Sequence, residues 1–221
     1  MKAPKLYSLL YSPPARSVLL TARAIGLKLE IQTVDLGKKE QLTPDFLAKN
    51  PQHTIPTLEE PDGFVVWDSH AIMPYIVEKY ASDDSFYPKD LRKRAVIQQR
   101  LHFDTMSGIV RSNAINPLFH EGATTIQEKT VETIKGHYSL LEKFLEKSEW
   151  IAGDTITIAD FSLIPSIATS NIIVPVDEKD YPKVKNWLKK AESWEYYDEN
   201  KIGHEALEAL ILERLRRETA Y

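Results

Sequence analysis

Cysteine is absent from this sequence of 221 residues. The chain therefore forms no disulfide bond, no thiolate metal site and no cysteine nucleophile. Long apolar runs are absent too: no stretch approaches the roughly 20 residues that span a bilayer, and the first residues lack the apolar segment of a signal peptide. We therefore expect a cytoplasmic protein with no membrane partner.

Further absences exclude several classes of function. Without a Gly-x-Gly motif, the sequence has neither a dinucleotide fingerprint nor a Walker loop. Its six histidines show no paired metal-ligand spacing, so we expect no bound metal. The formal net charge of -4 argues against a nucleic-acid partner, since such proteins usually carry a basic stripe. The 43% hydrophobic and 27% charged fractions are ordinary for a soluble globular protein.

Short strand and helix patterns alternate over the first third of the chain. Strands are predicted at residues 5–10, 29–34, 57–58 and 64–67, and helices at residues 13–25, 44–49 and 69–80. Pro13 suits the first turn of a helix, Gly26 ends that helix, and Gly63 closes a turn between the last two strands. This order of elements predicts an α/β domain at residues 1–81.

Beyond a polar, acidic linker at residues 82–88, the sequence is almost purely helical. Apolar residues recur at three-four spacing in three segments, so each segment buries one face of a helix. The repeats are Val131, Ile134, Tyr138, Leu141 and Leu145; Val184, Trp187, Leu188 and Ala191; and Leu207, Leu210, Ile211 and Leu215. We therefore predict an all-α domain at residues 89–221.

The Thr-Ile-Ala-Asp run that begins at Thr157 has the pattern of a capping box. The Thr157 hydroxyl and the Asp160 carboxylate would satisfy opposite backbone N–H groups, with Ile156 and Phe161 as the hydrophobic staple. A catalytic Asp160 is the alternative, but the cap and the staple account for every residue of the pattern. Pro165 inside this helix should remove one backbone hydrogen bond, so we expect a kink there.

Three segments of the α/β domain carry residues suited to binding. Ser12 precedes a helix whose N-terminus favours an anion, although a plain N-cap is the simpler interpretation. Ser69 begins another helix, where its hydroxyl and backbone N–H suit a carboxylate, and it has the same alternative. Pro56 is either a cis proline that turns the backbone of Ile55 outward or a trans proline of a loop. All three segments lie at strand ends, where open α/β sheets bind ligands.

The motifs of these segments occur together in one known family. Ser-Pro-Pro-x-Arg begins at Ser12, Asn-Pro-Gln-His-Thr-Ile-Pro at Asn50, Ser-His-Ala-Ile at Ser69 and Thr-Ile-Ala-Asp-Phe-Ser at Thr157. In this order and spacing, over essentially the whole chain, the sequence resembles the cytosolic glutathione transferases, and most closely the insect epsilon class. The resemblance implies a thioredoxin-like N-terminal domain followed by an all-helical C-terminal domain.

The resemblance also implies glutathione as co-substrate, with Ser12 as the catalytic residue that donates a hydrogen bond to its sulfur. The residues assigned to glutathione are Gln41, His53, Thr54, Ile55, Pro56, Asp68, Ser69 and His70. Ile55, before a cis Pro56, would pair through its backbone with the cysteinyl unit. Asp68 would bind the ammonium group of the γ-glutamyl end and Ser69 its carboxylate. His53 would face the glycyl carboxylate.

A second site, for hydrophobic electrophiles, is implied between the Ser12 loop and the helical domain. Its candidate residues are Tyr11, Pro13, Leu36, Ser107, Arg111 and Phe119, together with the C-terminal helix. Each aromatic candidate has ordinary core packing as its alternative, and Arg111 has an ion pair at a subunit interface as its own. The family is dimeric, so a homodimer with its fourth and fifth helices at the interface is implied.

Several positions depart from the family pattern. Gln41 stands where relatives often carry histidine, Asp68 where many epsilon members carry glutamate, and Asn113 where arginine is common. Residues 112–120, which include Pro117, differ from the usual aromatic-rich run. Substrates of relatives, including chlorinated insecticides, are therefore not carried over. We expect a detoxifying conjugating enzyme; a low-turnover binding protein for hydrophobic ligands and a glutathione-dependent isomerase or peroxidase are the alternatives.

Overall fold

The computed structural model describes residues 2–215. The N-terminal half contains strands β1 (Lys5–Ser8), β2 (Glu30–Thr33), β3 (Thr57–Glu59) and β4 (Val65–Trp67), and helices α1 (Pro13–Ala24), α2 (Pro44–Lys49) and α3 (Ser69–Tyr80). The remainder contains helices α4 (Leu91–Asp104), α5 (Ser107–Val110), α6 (Asn116–His120), α7 (Glu128–Phe144), α8 (Ile158–Ile173), α9 (Pro182–Ala191) and α10 (Asp198–Leu215). The first residue and the last six, 216–221, of the predicted domains lie outside the described residues.

A mixed sheet of four strands, in the order β2-β1-β3-β4, forms the centre of the N-terminal half. Strands β1 and β2 are parallel, whereas β3 is antiparallel to both β1 and β4. The predicted hairpin is the β3–β4 pair, and Gly63 in its turn has a φ of 90°, which glycine adopts without steric cost. This sheet with its helices, followed by helices alone, confirms the thioredoxin-like α/β domain and the all-α domain.

The strand register aligns one end of each of the four strands along the same edge of the sheet. Tyr7 pairs with Thr57, which pairs with Trp67, while Ser8 pairs with Thr33. Strands β1, β2 and β4 therefore end at this edge, which we call the loop edge, and β3 begins there. The loops predicted to bind a ligand, which follow β1 and β4 and precede β3, are neighbours for this reason.

Helix α8 forms the centre of the helical half, and the predicted capping box begins it. Thr157 Oγ1 accepts a hydrogen bond from the Ala159 N–H at 3.3 Å, and Asp160 Oδ2 accepts one from the Thr157 N–H at 3.0 Å. The other Asp160 oxygen accepts from the Ile151 N–H and from Trp187 Nε1, each at 3.0 Å. Asp160 is fully buried, and this burial raises its pKa to about 6 although the donors oppose it. Its role is structural, as the capping pattern predicts.

Prolines affect two helical segments differently. Helix α8 continues past Pro165, so the expected kink stays a prediction. Between α5 and α6, residues Arg111–Ile115 form a π-helical turn, in which the N–H of Asn116 donates to the carbonyl oxygen of Arg111. Pro117 has no N–H, and its ring crowds the carbonyl one turn earlier, which the wider π turn accommodates. The segment that departs from the family pattern thus contains a local change of helix type.

Apolar surfaces of the two halves face each other. One buried cluster includes Leu6 and Leu58 of the sheet together with Tyr138 and Phe161 of the helical half. Helix α1 packs directly against α8 across the boundary. None of the helices in the described part of the chain combines the length and apolar content that crossing a bilayer requires.

Candidate active site

Ser12 lies in the turn between β1 and α1, at the loop edge of the sheet. It occupies the N-cap position of α1, and its N–H donates to the Leu9 carbonyl at 2.9 Å, but its hydroxyl forms no capping hydrogen bond. Pro13 and Pro14 have no N–H, so the first N–H of the helix belongs to Ala15. The plain N-cap interpretation is therefore wrong as regards the hydroxyl, which the helix does not use, and Ser12 as a whole is half-buried.

Asn50 holds the loop before β3 from within. This fully buried side chain donates from Nδ2 to the Thr54 carbonyl at 3.0 Å and to Thr57 Oγ1 at 2.9 Å. Its Oδ1 accepts from the Gln52 N–H at 2.9 Å. One amide thus satisfies polar groups on both sides of the loop and fixes its path into β3.

The same loop presents the residues assigned to the cysteinyl and glycyl parts of glutathione. The Ile55–Pro56 peptide bond is cis, which agrees with the first of the two interpretations. His53 is exposed and has a φ of 47°. Gln52 Oε1 accepts a hydrogen bond from Trp67 Nε1, which joins this loop to the end of β4.

The residue that caps the start of α3 is not Ser69, so the capping alternative considered for Ser69 is wrong. Asp68 is the N-cap residue, and its Oδ1 accepts from the His70 N–H at 2.8 Å, whereas Ser69 is the first helical residue and is buried. Asp68 has φ 75° and ψ 121°, a backbone conformation that costs a non-glycine residue about 1–3 kcal/mol. Such strain concentrates at binding sites, and the Asp68 side chain is 63% exposed at this point.

His70 faces the helical half of the molecule. Its Nε2 lies 3.2 Å from Asp104 Oδ2 of α4 and 2.9 Å from Ser162 Oγ of α8. The Ser162 hydroxyl donates to the same carboxylate oxygen at 2.5 Å. The structure therefore directs this predicted glutathione ligand to two buried residues of the other half, and its backbone N–H to Asp68.

The charge of His70 depends on these contacts. Burial by itself lowers the pKa of the imidazole, but the hydrogen bond to Asp104 and the charge of that carboxylate outweigh burial and raise the pKa above its ordinary value of 6.5. Serine, histidine and aspartate are also the residue types of a hydrolytic triad. Here, however, Ser162 and Asp104 meet the same ring nitrogen and both are buried, so Ser162 is no nucleophile.

Some of the electrophile-site candidates meet in a small apolar cluster. Tyr11 of the Ser12 loop and Phe119 of α6 pack against a core formed by Leu118, Leu207 and Ile211. Two of these core residues, Leu207 and Ile211, come from α10, so the C-terminal helix packs against two of the candidates. The cluster places an apolar wall beside the loop that carries the catalytic candidate.

The remaining candidates lie outside this cluster. Leu36 and Gln41 follow β2 at the loop edge, and Gln41 Oε1 is buried without a hydrogen-bond partner among the described residues. Pro13 and Ser107 begin α1 and α5. Arg111 is exposed and makes no ion pair within residues 2–215. The structure therefore leaves the interface alternative for Arg111 open.

Sequence reasoning did not identify the partners of His70. Ser162 belongs to the motif that begins at Thr157, so a signal for it was present, but that motif was explained by capping alone. Asp104 carries no local signal, because a single acidic residue at the end of a helix, here the last residue of α4, gives no sign of a partner so far along the chain. Among the described residues, no group of three or more His, Asp or Glu side chains is arranged to hold a metal ion.

Comparison with known protein families gives two matches. The family described as "Glutathione S-transferase, N-terminal domain" matches residues 11–79. The family described as "Glutathione S-transferase, C-terminal domain" matches residues 97–195.

Individual relatives match over nearly their whole length. Glutathione S-transferase 1 of Manduca sexta is 41% identical, and the match covers 95% of this chain and 98% of the relative. An epsilon-class glutathione S-transferase from the housefly, Musca domestica, superposes with a TM-score of 0.91 at 42% identity, over 96% of this chain and 98% of the other. A glutathione transferase homologue from Drosophila mojavensis, solved with bound glutathione, gives a TM-score of 0.91 at 41% identity, over 97% and 98% of the two chains.

Proposed function

Because the chain belongs to the glutathione S-transferase family and is a glutathione transferase, we propose that Ser12 holds the sulfur of bound glutathione as a thiolate. The observation that carries this proposal is the Ser12 hydroxyl itself. Ser12 is half-buried at the start of α1, and the helix does not use its hydroxyl for capping. A hydroxyl in that position donates to an anionic sulfur and is not a nucleophile.

One hydroxyl can supply most of the free energy that is needed to hold the glutathione sulfur as a thiolate. A free thiol titrates near pH ~8.5, and lowering that value by about two units requires roughly 3 kcal/mol in favour of the anion. A hydrogen bond to a charged group contributes about 1.5–3 kcal/mol, and a helix N-terminus adds about 0.3–1 kcal/mol. Since Pro13 and Pro14 offer no N–H, the hydroxyl supplies the larger share.

The rest of glutathione is proposed to lie along the loop edge. The backbone of Ile55 pairs with the cysteinyl unit, and Asp68 binds the γ-glutamyl ammonium group while Ser69 binds its carboxylate. Gln41, His53 and Thr54 serve the glycyl end. The adjacency of the strand ends and the strained, exposed Asp68 support this placement.

His70 receives a different role from direct binding. Its Nε2 is engaged by Asp104 and Ser162, so we assign it as a positioning residue. Its backbone N–H holds the Asp68 carboxylate at 2.8 Å, and its ring fixes the start of α3 against the helical half.

The second substrate is proposed to be a hydrophobic electrophile beside Tyr11 and Phe119, where the apolar cluster adjoins the Ser12 loop. The thiolate attacks an electrophilic carbon of that substrate: a C–S bond forms and the bond to the leaving group breaks, as the C–Cl bond of a chloronitrobenzene does with release of chloride. Binding both substrates side by side supplies the proximity that the reaction needs. Removal of xenobiotics is the biological role that we propose for this reaction.

The assembly is proposed from the family. We assign residues 1–81 to glutathione binding, 82–88 to the linker, and 89–221 to the electrophile and to contacts in a homodimer. Leu91 on α4, the helix assigned to the dimer interface, is 81% exposed. Sedimentation of the purified chain tests this assignment.

The decisive experiment compares the native protein with Ser12→Ala. We expect kcat/KM for glutathione conjugation to a chloronitrobenzene to fall about 10- to 100-fold, the equivalent of about 1.5–3 kcal/mol. The thiolate absorbance of bound glutathione at pH 7 should fall in parallel. Stability should change little, because the hydroxyl forms no capping bond.

Ser139→Ala is the matched control, since its hydroxyl is exposed on α7, and it should retain full activity. Full activity in Ser12→Ala would contradict the proposal. A native protein that binds glutathione but conjugates nothing would instead favour the binding-protein alternative.

A further inference from the structure

Helix α10 lies in close contact with the loop that carries Ser12. At Gly203 an added Cβ would stand 2.2 Å from the carbonyl oxygen of Leu10 and 2.7 Å from Cδ of Arg16. The first distance is far below any non-bonded carbon–oxygen contact, and its partner is backbone, which cannot rotate away. Only glycine therefore permits this approach of the helix to the loop.

The same face of α10 also contacts the residues that follow Ser12. Asn200 precedes Gly203 by three residues, which places both on one side of the helix. Arg16 donates from its guanidinium to Asn200 Oδ1 at 2.6 Å and to Thr169 Oγ1 of α8 at 2.9 Å. The backbone N–H of Arg16 donates to the carbonyl oxygen of Ser12 at 3.0 Å. Helix α10 thus contacts the chain on both sides of Ser12.

The Arg16 side chain depends strongly on these contacts, because its charge is fully buried. Within residues 2–215 it has no carboxylate partner, and its Nε has no hydrogen-bond partner. A buried cation held by neutral oxygens is stable only while those oxygens keep their places. Displacing α10 would therefore disturb Arg16, and through it the first turn of α1.

We infer that Gly203 and Asn200 are positioning residues of the reaction: the docking of α10 on Leu10 and Arg16 sets the place of the Ser12 hydroxyl, and thiol activation depends on it. This inference rests on the proposed role of Ser12. Because α10 also supplies Leu207 and Ile211 to the apolar cluster, the helix that holds the catalytic loop also forms part of the proposed electrophile site. A bulky electrophile that displaces α10 therefore weakens thiol activation.

The test is Gly203→Ala, with Gly136→Ala as the matched control. Gly136 lies on α7, where an added Cβ meets nothing within 4 Å. The pH dependence of kcat and of thiolate absorbance is measured with glutathione and a chloronitrobenzene. We expect Gly203→Ala to lower kcat at pH 7 about tenfold by raising the pKa of the bound thiol. Activity should recover at pH above that pKa, and KM for glutathione should remain within about twofold.

A second pair of variants keeps the test decisive if Gly203→Ala does not fold. Asn200→Leu removes the acceptor for Arg16 and should shift the pH profile of kcat in the same direction as Gly203→Ala. Asn200→Asp retains an acceptor for Arg16 and should keep the native pH profile. An unshifted profile in folded Gly203→Ala or in Asn200→Leu overturns the inference. If Ser12→Ala itself leaves thiol ionisation unchanged, the proposed function fails; if only the α10 variants do so, the inference alone fails.

Discussion

Single side chains join the two halves of the molecule, and the charge of His70 makes one of these joints dependent on pH. Burial lowers the pKa of this imidazole, but Asp104 outweighs burial and raises it above 6.5. A raised pKa in the folded state means that the protonated ring favours folding. This contribution is complete below about pH 6.5 and is lost as the pH rises through the folded-state pKa.

We therefore expect His70→Gln to flatten the pH dependence of unfolding. Urea denaturation gives the free energy of unfolding at each pH. The decrease in this free energy from pH 5.5 to pH 8.5 should be larger for the native protein than for the variant. His102→Gln on α4 is the control, because its side chain is exposed. Equal losses in the native protein and in His70→Gln would contradict the assigned contact.

At the residue scale, the sequence identified the loops of the site better than their internal bonds. Ser12 was singled out because a helix begins just after it, and Pro56 because an X-Pro bond before a strand can be cis, as it is here. The cap at Asp68 was missed, since its positive φ is imposed by the surrounding fold and not by a local preference. The contacts of His70 join residues 34 and 92 positions apart, and no local pattern encodes such a distance.

At the scale of elements, the entrance of α8 depends on Asp160. Replacing it with alanine leaves the buried N–H groups of Ile151 and Thr157 and the Trp187 Nε1–H without acceptors. Each such group costs about 1–3 kcal/mol, so Asp160→Ala should destabilise the protein by about 3 kcal/mol or more.

Urea denaturation measures this difference, and Asp154→Ala is its control. Asp154 is exposed six residues earlier, where such substitutions change stability by about 0.5 kcal/mol or less. Similar effects of the two substitutions would show that the carboxylate does not hold the helix start.

The bounds of the elements agree with the sequence-based prediction where proline or glycine marks the end of an element. Helices α2 and α3 have the predicted bounds, and α1 ends one residue before the prediction, because Pro13 and Gly26 mark its ends. Strand β1 is two residues shorter than predicted, since alternation alone does not say where pairing stops. The π-helical turn at Arg111–Ile115 was not foreseen: its cause, Pro117, lies beyond it, and periodicity cannot distinguish the two helix types there.

At the scale of the whole molecule, the shared core predicts joint unfolding of the two halves. One buried apolar cluster contains Leu6 of the sheet and Phe161 of the helical half, and polar contacts such as that of His70 with Asp104 cross the same boundary. We expect calorimetry to give one thermal transition whose calorimetric and van't Hoff enthalpies agree. Two separated transitions would show that the halves unfold independently.

The common edge of the four strands also bears on how such an enzyme diversifies. The groups assigned to a ligand lie in loops, in short helical turns or at helix starts, and none of them belongs to a strand. Loops tolerate exchange of side chains far better than paired strands do. If Gln41 and Asp68 bind glutathione as proposed, replacements at these positions should therefore change selectivity and leave the hydrogen-bonded strands beneath them unchanged.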